Sequence, residues 1–181
     1  YVTFGFDTDC DFHAENIEMV DGLYHFDIFH KVNLLGRVGI SLPGEHNILN
    51  ALAVVATAVS AGVDAQVVLQ RLGQFEGVER RLMLKVRAGG VTIVDDYAHH
   101  PTEIAATLRA ARQRFPGRRI WAVFQAHQHS RTRLLFEEFA RSLTFADRVT
   151  IAKIYSVREA EIDRKSVCGA DIAGRLYQLS V

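Results

Sequence analysis

The sequence contains few cysteines, no long apolar run and no excess of one charge, and each of these shortages excludes a class of protein. Cys10 and Cys168 are the only thiols among 181 residues, and their separation fits neither a disulfide framework nor a metal site, which favours a cytoplasmic protein with reduced cysteines. No stretch reaches the roughly 18 apolar residues that cross a bilayer. Lysine plus arginine and aspartate plus glutamate number 21 each, so no net charge attracts the chain to nucleic acid or to a membrane surface.

The residues that are abundant are apolar ones, which make up 49% of the chain and allow a sizeable core. The chain opens on Tyr1 within a strand pattern and stops at Val181, just after a helical pattern. We therefore expect a segment of a longer protein, cut at both ends.

Two patterns divide the chain. Residues 1–43 alternate apolar and polar positions between glycine and asparagine turns, which predicts antiparallel strands joined by hairpins. An apolar helix, buried on most faces, is predicted from His46 to Ala61, and a shorter helix from Asp64 to Leu72. Residues 73–81 are glycine-rich and charged, so we place a domain boundary there, with one domain at residues 1–79 and the other at residues 80–181.

Strands alternate with amphipathic helices beyond this boundary. The predicted order is strand Leu82–Arg87, strand Val91–Val94, helix Pro101–Phe115, strand Arg119–Gln125, helix Thr132–Leu143, strand Arg148–Ile154 and a helix from about Ala170 to Leu179. This alternation predicts an α/β protein with a doubly wound, parallel sheet in the second domain.

Three loops follow the carboxyl ends of these strands, where parallel α/β sheets bind ligands. They span residues 95–100, 126–132 and 155–159, and the first two hold four of the eight histidines. Any one of these polar residues is most simply a helix cap, but together they favour a site. The residues with the strongest claim are Asp95, Asp96, His99, His127 and Arg131.

The side chains of these loops suit an anionic or zwitterionic ligand. Arg131 can bind a carboxylate or phosphate with two parallel hydrogen bonds, and imidazoles can donate to an oxyanion or accept from an ammonium group. Three further features stay ambiguous. Asn47 and Asn50 suit helix capping as well as a ligand, and Arg80 and Arg81 could be solvated charge. His13, His25 and His30 are interpreted as surface or structural residues.

An ordered string of motifs resembles the Mur ligase family. The run Pro43–Ala53 reads Pro-Gly-Glu-His-Asn-Ile-Leu-Asn-Ala-Leu-Ala, and Phe75–Arg81 reads Phe-Glu-Gly-Val-Glu-Arg-Arg. The most specific run is Asp95–Ile104, Asp-Asp-Tyr-Ala-His-His-Pro-Thr-Glu-Ile, followed by Ser130-Arg131-Thr132. The likeness covers essentially all 181 residues.

The resemblance implies a three-domain enzyme of peptidoglycan biosynthesis. Its first domain would hold UDP-N-acetylmuramate, its central domain ATP and Mg²⁺, and its Rossmann-like third domain L-alanine. The lactyl carboxylate of the sugar nucleotide would be phosphorylated by ATP and then attacked by the amine of L-alanine. Residues 1–79 would be the end of the central domain and residues 80–181 an incomplete third domain.

The same resemblance assigns roles to individual residues. Asn47 and Asn50 would lie near the adenine, and Arg80 or Arg81, with Asp95 or Asp96, would contact the ribose and phosphates. The L-alanine site would contain Tyr97, His99, His127 and Arg131, and of these His99, His127 and Arg131 would be the catalytic side chains.

Two departures from the family pattern bear on function. Ala126, Gln128 and His129 replace the proline, arginine and tyrosine common in that loop, so carboxylate binding would depend more heavily on Arg131. The phosphate-binding loop of the form Gly-Thr-His-Gly-Lys-Thr and the UDP-sugar domain are absent from the sequence, so the segment alone is expected to be inactive.

Three alternatives stay open at this point. The parent enzyme could instead attach a tripeptide to UDP-N-acetylmuramate in peptidoglycan recycling. A metal-dependent hydrolase could use the loop histidines with Asp95 and Asp96, namely His99, His100, His127 and His129. The chain could also be a non-catalytic binding module.

Overall fold

A computed structural model describes residues 1–156 and 159–179. The chain forms two compact units, one comprising residues 1–95 with 113–116 and the other residues 96–112 with 117–181. The β-hairpin that follows residue 80 therefore groups with the first unit. The domain boundary that the sequence suggests at residue 80 stays a prediction.

The first unit contains a four-stranded sheet with the order β1-β2-β3-β4. Its strands are β1 (Phe4–Gly5), β2 (Phe12–Val20), β3 (Leu23–His30) and β4 (Asn33–Gly39). Strands β2, β3 and β4 pair antiparallel, as the hairpin pattern predicted, whereas the short β1 pairs parallel with β2. Asp21 and Gly22 join β2 to β3 with φ values of 52° and 75°, the left-handed geometry of tight hairpin turns.

Two helices cover one face of this sheet, α1 (His46–Ser60) and α2 (Ala65–Gly73). Phe26 and Ile28 from β3 and Leu52 and Val55 from α1 are buried together at the centre of the core. The expectation that α1 is buried on most faces was wrong, because its buried residues form one stripe and Val54 is 53% exposed.

A hairpin of β5 (Met83–Ala88) and β6 (Val91–Asp95) follows, paired antiparallel. Gly89 and Gly90 form its turn with positive φ angles, as two adjacent glycines predict. Strand β6 ends at Asp95, the first residue of the first predicted ligand loop.

The second unit alternates strands and helices. Its elements are α3 (Pro101–Arg114, of which the last two residues group with the first unit), β7 (Trp121–Phe124), α4 (His129–Leu134), α5 (Phe136–Leu143), β8 (Arg148–Ile151), α6 (Glu161–Arg164) and α7 (Gly169–Gln178). Strands β7 and β8 pair parallel, and a single bridge from His127 to Tyr155 continues this pairing into the loops. The α/β class is confirmed, and β7 and β8 are the parallel pair of named strands in the described part of the second unit.

A separate core holds the second unit together. Phe139 of α5 and Ile172 of α7 are fully buried, and the ring of Phe139 lies 5.6 Å from that of Phe124 on β7. The single helix predicted from Thr132 to Leu143 is in fact two helices, α4 and α5. The break falls at Leu135, whose φ of −110° and ψ of 28° are not helical.

Candidate functional site

The first loop, residues 95–100, is folded on itself by local hydrogen bonds. The Asp96 carboxylate accepts hydrogen bonds from the Ala98 amide at 2.8 Å and from the Thr107 hydroxyl of α3 at 3.1 Å. This is an Asx turn, which an aspartate two residues before the amide readily forms. Asp96 therefore has a structural role in the turn in addition to any ligand contact.

The start of α3 is capped by Glu103, a residue to which the sequence reasoning gave no role. Its Oε2 accepts from the amides of His99 at 3.0 Å and His100 at 3.2 Å. The His99 ring lies edge-on against Tyr97, with 5.2 Å between ring centroids, and its Nδ1 is 3.5 Å from Glu103. An acidic residue in the first turn of a helix was the available signal for this cap.

Tyr97 and His99 differ in how they are held. The Tyr97 side chain is 52% exposed, whereas His99 is half-buried and its Nδ1 is 3.0 Å from the carbonyl of Tyr97. The pair forms one exposed edge of the loop, where a ligand could contact an aromatic ring and an imidazole together.

The second loop, residues 126–132, is attached to the third loop by backbone pairing. The Gln128 amide donates to the Tyr155 carbonyl at 2.8 Å, and the Tyr155 amide donates to the Ala126 carbonyl at 2.9 Å. The His127 ring packs against the Tyr155 ring at a centroid distance of 5.1 Å. Val157 and Arg158 of the third predicted loop lie outside the described residues.

Glu159 binds the beginning of α4. Its two oxygens accept from the amides of His129 and Ser130, from the His129 Nδ1 and from the Ser130 hydroxyl, each at 2.9 Å. Burial alone would raise the pKa of this carboxyl, but the amide and imidazole donors outweigh it and hold the pKa far below its usual range. The Glu159 carboxylate is therefore charged at any physiological pH.

The surroundings of Arg131 differ from those of the ion pair between His129 and Glu159. Its side chain is half-buried on α4, and within the described ranges no acidic group lies within salt-bridge distance of its guanidinium. The guanidinium of Arg131 keeps its charge at any physiological pH. That this permanent positive charge meets a ligand stays a prediction.

The two loops share the core of the second unit. Ala98 of the first loop packs against the cluster that contains Ala126 of the second. His99 is held by Tyr97 and Glu103, His127 by Tyr155, and Arg131 by its helix. That these side chains face one ligand stays a prediction.

Asn47 and Asn50 lie in the first unit, at the start of α1. Asn47 donates its amide hydrogens to the Pro43 carbonyl at 2.8 Å and accepts at 3.0 Å from the Asn50 side chain. Both border a small, mainly apolar cavity of about 80 Å³, together with Ile40, Ser41, Leu42, Ala51, Val54, Leu72 and Phe75. Ligand pockets commonly measure roughly 300–1,000 Å³, so this one suits the edge of a flat ring rather than a whole nucleotide.

The basic residues at positions 80 and 81 have different surroundings. Arg80 has a φ of 59°, and its Nε lies 3.7 Å from the Asp95 carboxylate, which also lies 4.0 Å from the Lys85 ammonium group. Arg81 is exposed. The Asp95 carboxylate therefore lies near two positively charged groups, and its single negative charge neutralises only part of their charge.

The described residues include no group of three or more His, Cys, Asp or Glu side chains arranged to bind a metal ion. The hydrolase alternative consequently has no geometric support in residues 1–156 and 159–179. Two histidines of the first unit are structural: His13 is 3% exposed and stacks on Phe29, and His30 stacks on Phe12. Among the described helices none is both long and apolar enough to span a bilayer.

Comparison with known proteins places these features in a family. A profile described as "Mur ligase, glutamate ligase domain" matches residues 80–176. The UDP-N-acetylmuramate–L-alanine ligase of Desulforapulum autotrophicum is 42% identical over 163 residues, which are 90% of this chain and 36% of that protein. The ligase of the same name from Pediococcus pentosaceus is 46% identical over 167 residues, 92% of this chain and 37% of that protein.

Two solved structures show the same relationship. The crystal structure of UDP-N-acetylmuramate–alanine ligase from Thermotoga maritima superposes with a TM-score of 0.79 at 30% identity, covering 98% of this chain and 37% of that one. A murein peptide ligase from Psychrobacter arcticus gives a TM-score of 0.56 at 29% identity over 82% of this chain and 31% of that one. The chain spans little more than a third of the length of the relatives that it matches. Because the family profile covers more than half of its residues, the chain belongs to the Mur ligase family.

Proposed function

We propose that this chain is the amino-acid-binding segment, with part of the ATP-binding domain, of a ligase that joins L-alanine to UDP-N-acetylmuramate in peptidoglycan biosynthesis. The relatives of 42% to 46% identity bear the name of that ligase. The observation that carries the proposal is Arg131, a half-buried residue of the loop that contains His127, whose guanidinium has no acidic partner in the described parts of the chain.

The proposed reaction has two chemical steps. The lactyl carboxylate of UDP-N-acetylmuramate is activated as an acyl phosphate with phosphate from ATP, because a carboxylate is a poor electrophile until one oxygen can leave. The amine of L-alanine then attacks, and phosphate departs. The residues of this chain contribute by binding and aligning the amino acid, which lowers the barrier by removing translational and rotational freedom beforehand.

The amino-acid carboxylate binds to Arg131 in this proposal. A guanidinium forms two parallel hydrogen bonds to a carboxylate, and its charge does not depend on pH. Tyr97, His99 and His127 complete the pocket, with imidazole nitrogens available to accept from the ammonium group or to donate to an oxyanion.

Nucleotide binding is assigned to residues nearer the start of the chain. Asn47 and Asn50 present amide groups at the small cavity of the first unit, which fits the edge of an adenine ring. Arg80, Arg81, Asp95 and Asp96 are proposed to contact ribose and phosphates. The described residues lack a metal-binding group, so no step is assigned to Mg²⁺, and its ligands are expected elsewhere in a longer enzyme.

Steady-state kinetics of the full-length enzyme that contains this chain test the proposal. Phosphate release should require UDP-N-acetylmuramate, ATP and L-alanine together, and the 181-residue chain alone should release none, because its sequence has no phosphate-binding loop. A full-length enzyme that uses the tripeptide in preference to L-alanine would instead support the recycling ligase. This alternative is retained because the chain is also similar to the murein peptide ligase of Psychrobacter arcticus. An enzyme that uses neither acceptor would overturn both proposals and leave a binding module.

A further inference from the structure

The backbone of the second loop has an unusual conformation at Gln128. Its φ of 73° and ψ of 129° lie in a region that residues with a Cβ rarely occupy. Gln128 separates His127 from His129 and precedes Arg131 by three residues. The directions of the His127 and Arg131 side chains therefore depend on this one strained residue.

Glu159 supplies the contacts that maintain this conformation. The Gln128 side chain makes no capping hydrogen bond to α4, so the helix start is satisfied from another part of the chain. The Glu159 side chain is 6% exposed and accepts four hydrogen bonds from His129 and Ser130, the two residues immediately after Gln128. A buried carboxylate with four donors fixes both residues and thereby the turn before them.

These contacts also restrict how a substrate carboxylate can bind. The first amides of a helix are common anion-binding groups, but Glu159 already occupies the amides of His129 and Ser130. The His129 ring is likewise committed to Glu159. A ligand carboxylate is left with the side chain of Arg131, one helical position further on.

We infer that Glu159 is a positioning residue for amino-acid binding: it holds Gln128 in its left-handed conformation and so directs His127 and Arg131 toward the amino acid. The inference rests on the proposed function. It adds a residue that touches no substrate and lies 28 residues beyond Arg131 in the sequence.

The first test compares Glu159→Gln with Glu161→Gln in the full-length enzyme. Glutamine keeps the size of Glu159 but replaces one acceptor oxygen with a donor, whereas Glu161 is 80% exposed and pairs only with Lys165 by the contacts described. Glu159→Gln should raise KM for L-alanine about tenfold or more, with kcat and KM for ATP changed less than about twofold. Glu161→Gln should match the wild type in all three.

A rescue variant separates positioning from simple stabilisation. Glycine adopts positive φ without steric cost, so adding Gln128→Gly to Glu159→Gln should recover a substantial part of the lost L-alanine affinity. If Glu159 only stabilised the fold, the glycine would leave KM where Glu159→Gln set it. That result would overturn the inference.

Hydrogen exchange on the 181-residue chain gives a readout without activity. The amides of residues 128–132 should exchange at least about tenfold faster in Glu159→Gln and at the wild-type rate in Glu161→Gln. Should Glu159→Gln fail to fold, Ser130→Ala removes a single hydroxyl bond of 2.9 Å and should still raise KM for L-alanine about threefold.

The outcomes distinguish this inference from the function on which it rests. If the wild-type enzyme shows no L-alanine-dependent turnover, the proposed function fails. If the wild type is active and folded Glu159→Gln has the same KM for L-alanine, the proposed function stands and only the positioning role fails.

Discussion

Replacement of Arg131 gives the most direct measure of the proposed amino-acid site. In the full-length enzyme, Arg131→Gln removes a guanidinium that is proposed to hold the L-alanine carboxylate with two hydrogen bonds. A hydrogen bond to a charged group contributes roughly 1.5–3 kcal/mol, so the loss of the pair should weaken binding by about 3 kcal/mol. At about 1.4 kcal/mol for each factor of ten, KM for L-alanine should rise about 100-fold.

Arg131→Lys should show an intermediate defect. Lysine keeps the charge but cannot form the planar pair of bonds, so about half of the energy should remain and KM should rise about tenfold. Stability should hardly change in either variant, within about 0.5 kcal/mol, because no internal ion pair of Arg131 is lost among the described residues.

Arg133 is the matched control for this series. It lies on the same helix, but two residues correspond to about 200° of rotation around the axis, so its side chain points away from that of Arg131. Arg133→Gln should leave KM for L-alanine within about twofold of the wild type. Equal effects at both positions would indicate general electrostatic attraction, and no effect at Arg131 would refute the assignment of the carboxylate to it.

Three further predictions concern stability, each measured by urea unfolding. Asp64→Ala should cost about 1 kcal/mol, because the Asp64 side chain caps α2 by accepting from two amides, and Asp64→Asn should cost much less. Phe139→Ala should cost about 3–5 kcal/mol, because the side chain is fully buried against Phe124, while Phe139→Leu should cost less than half of that. The pKa of Glu159 is lower in the folded chain than the ordinary value of 4.5, so its stabilising contribution is complete above that pH and is lost as the pH falls. Glu159→Gln should therefore flatten the decline in stability below about pH 5, and an unchanged slope would contradict the cause given for the shift.

The elements that could be predicted from the sequence are those with local signals. Helix α1 was predicted from His46 to Ala61 and spans His46–Ser60, and α3 was predicted from Pro101 to Phe115 and spans Pro101–Arg114. Continuous apolar periodicity and a proline in the first turn mark such helices without reference to the rest of the fold. The glycine pair at 89 and 90 likewise fixed the β5–β6 turn.

Elements that depend on distant residues were predicted less well. The helix expected from Thr132 begins instead at His129, because Glu159 accepts hydrogen bonds from the amides at its start. Glu159 lies 29 residues beyond Ser130, and no local sequence pattern predicts so distant a partner. The interruption at Leu135 could not be predicted either, since the apolar period runs through it without a glycine or proline. No sequence pattern predicts the positive φ of Gln128 either.

The candidate site shows the same division. The loops that carry its residues follow from the order of strands and helices, but the roles of the individual histidines do not. His129 is committed to Glu159 and His127 packs on Tyr155, a distinction that depends on which side of Gln128 each lies. Four histidines that appeared equivalent in the sequence thus have different capacities to meet a ligand.

The surroundings of Gln128 and His129 show how these two departures from the family pattern affect binding of a carboxylate. Gln128 supplies no charge, and the His129 ring faces Glu159, so neither can hold a carboxylate in the way that an arginine at position 128 would. In the proposed function, the permanent charge that this loop offers to the amino acid is that of Arg131. This residue lies in the first turn of α4. Since Glu159 accepts from the first amides of that turn, the proposed function implies that the affinity for L-alanine depends on a buried carboxylate outside the amino-acid pocket.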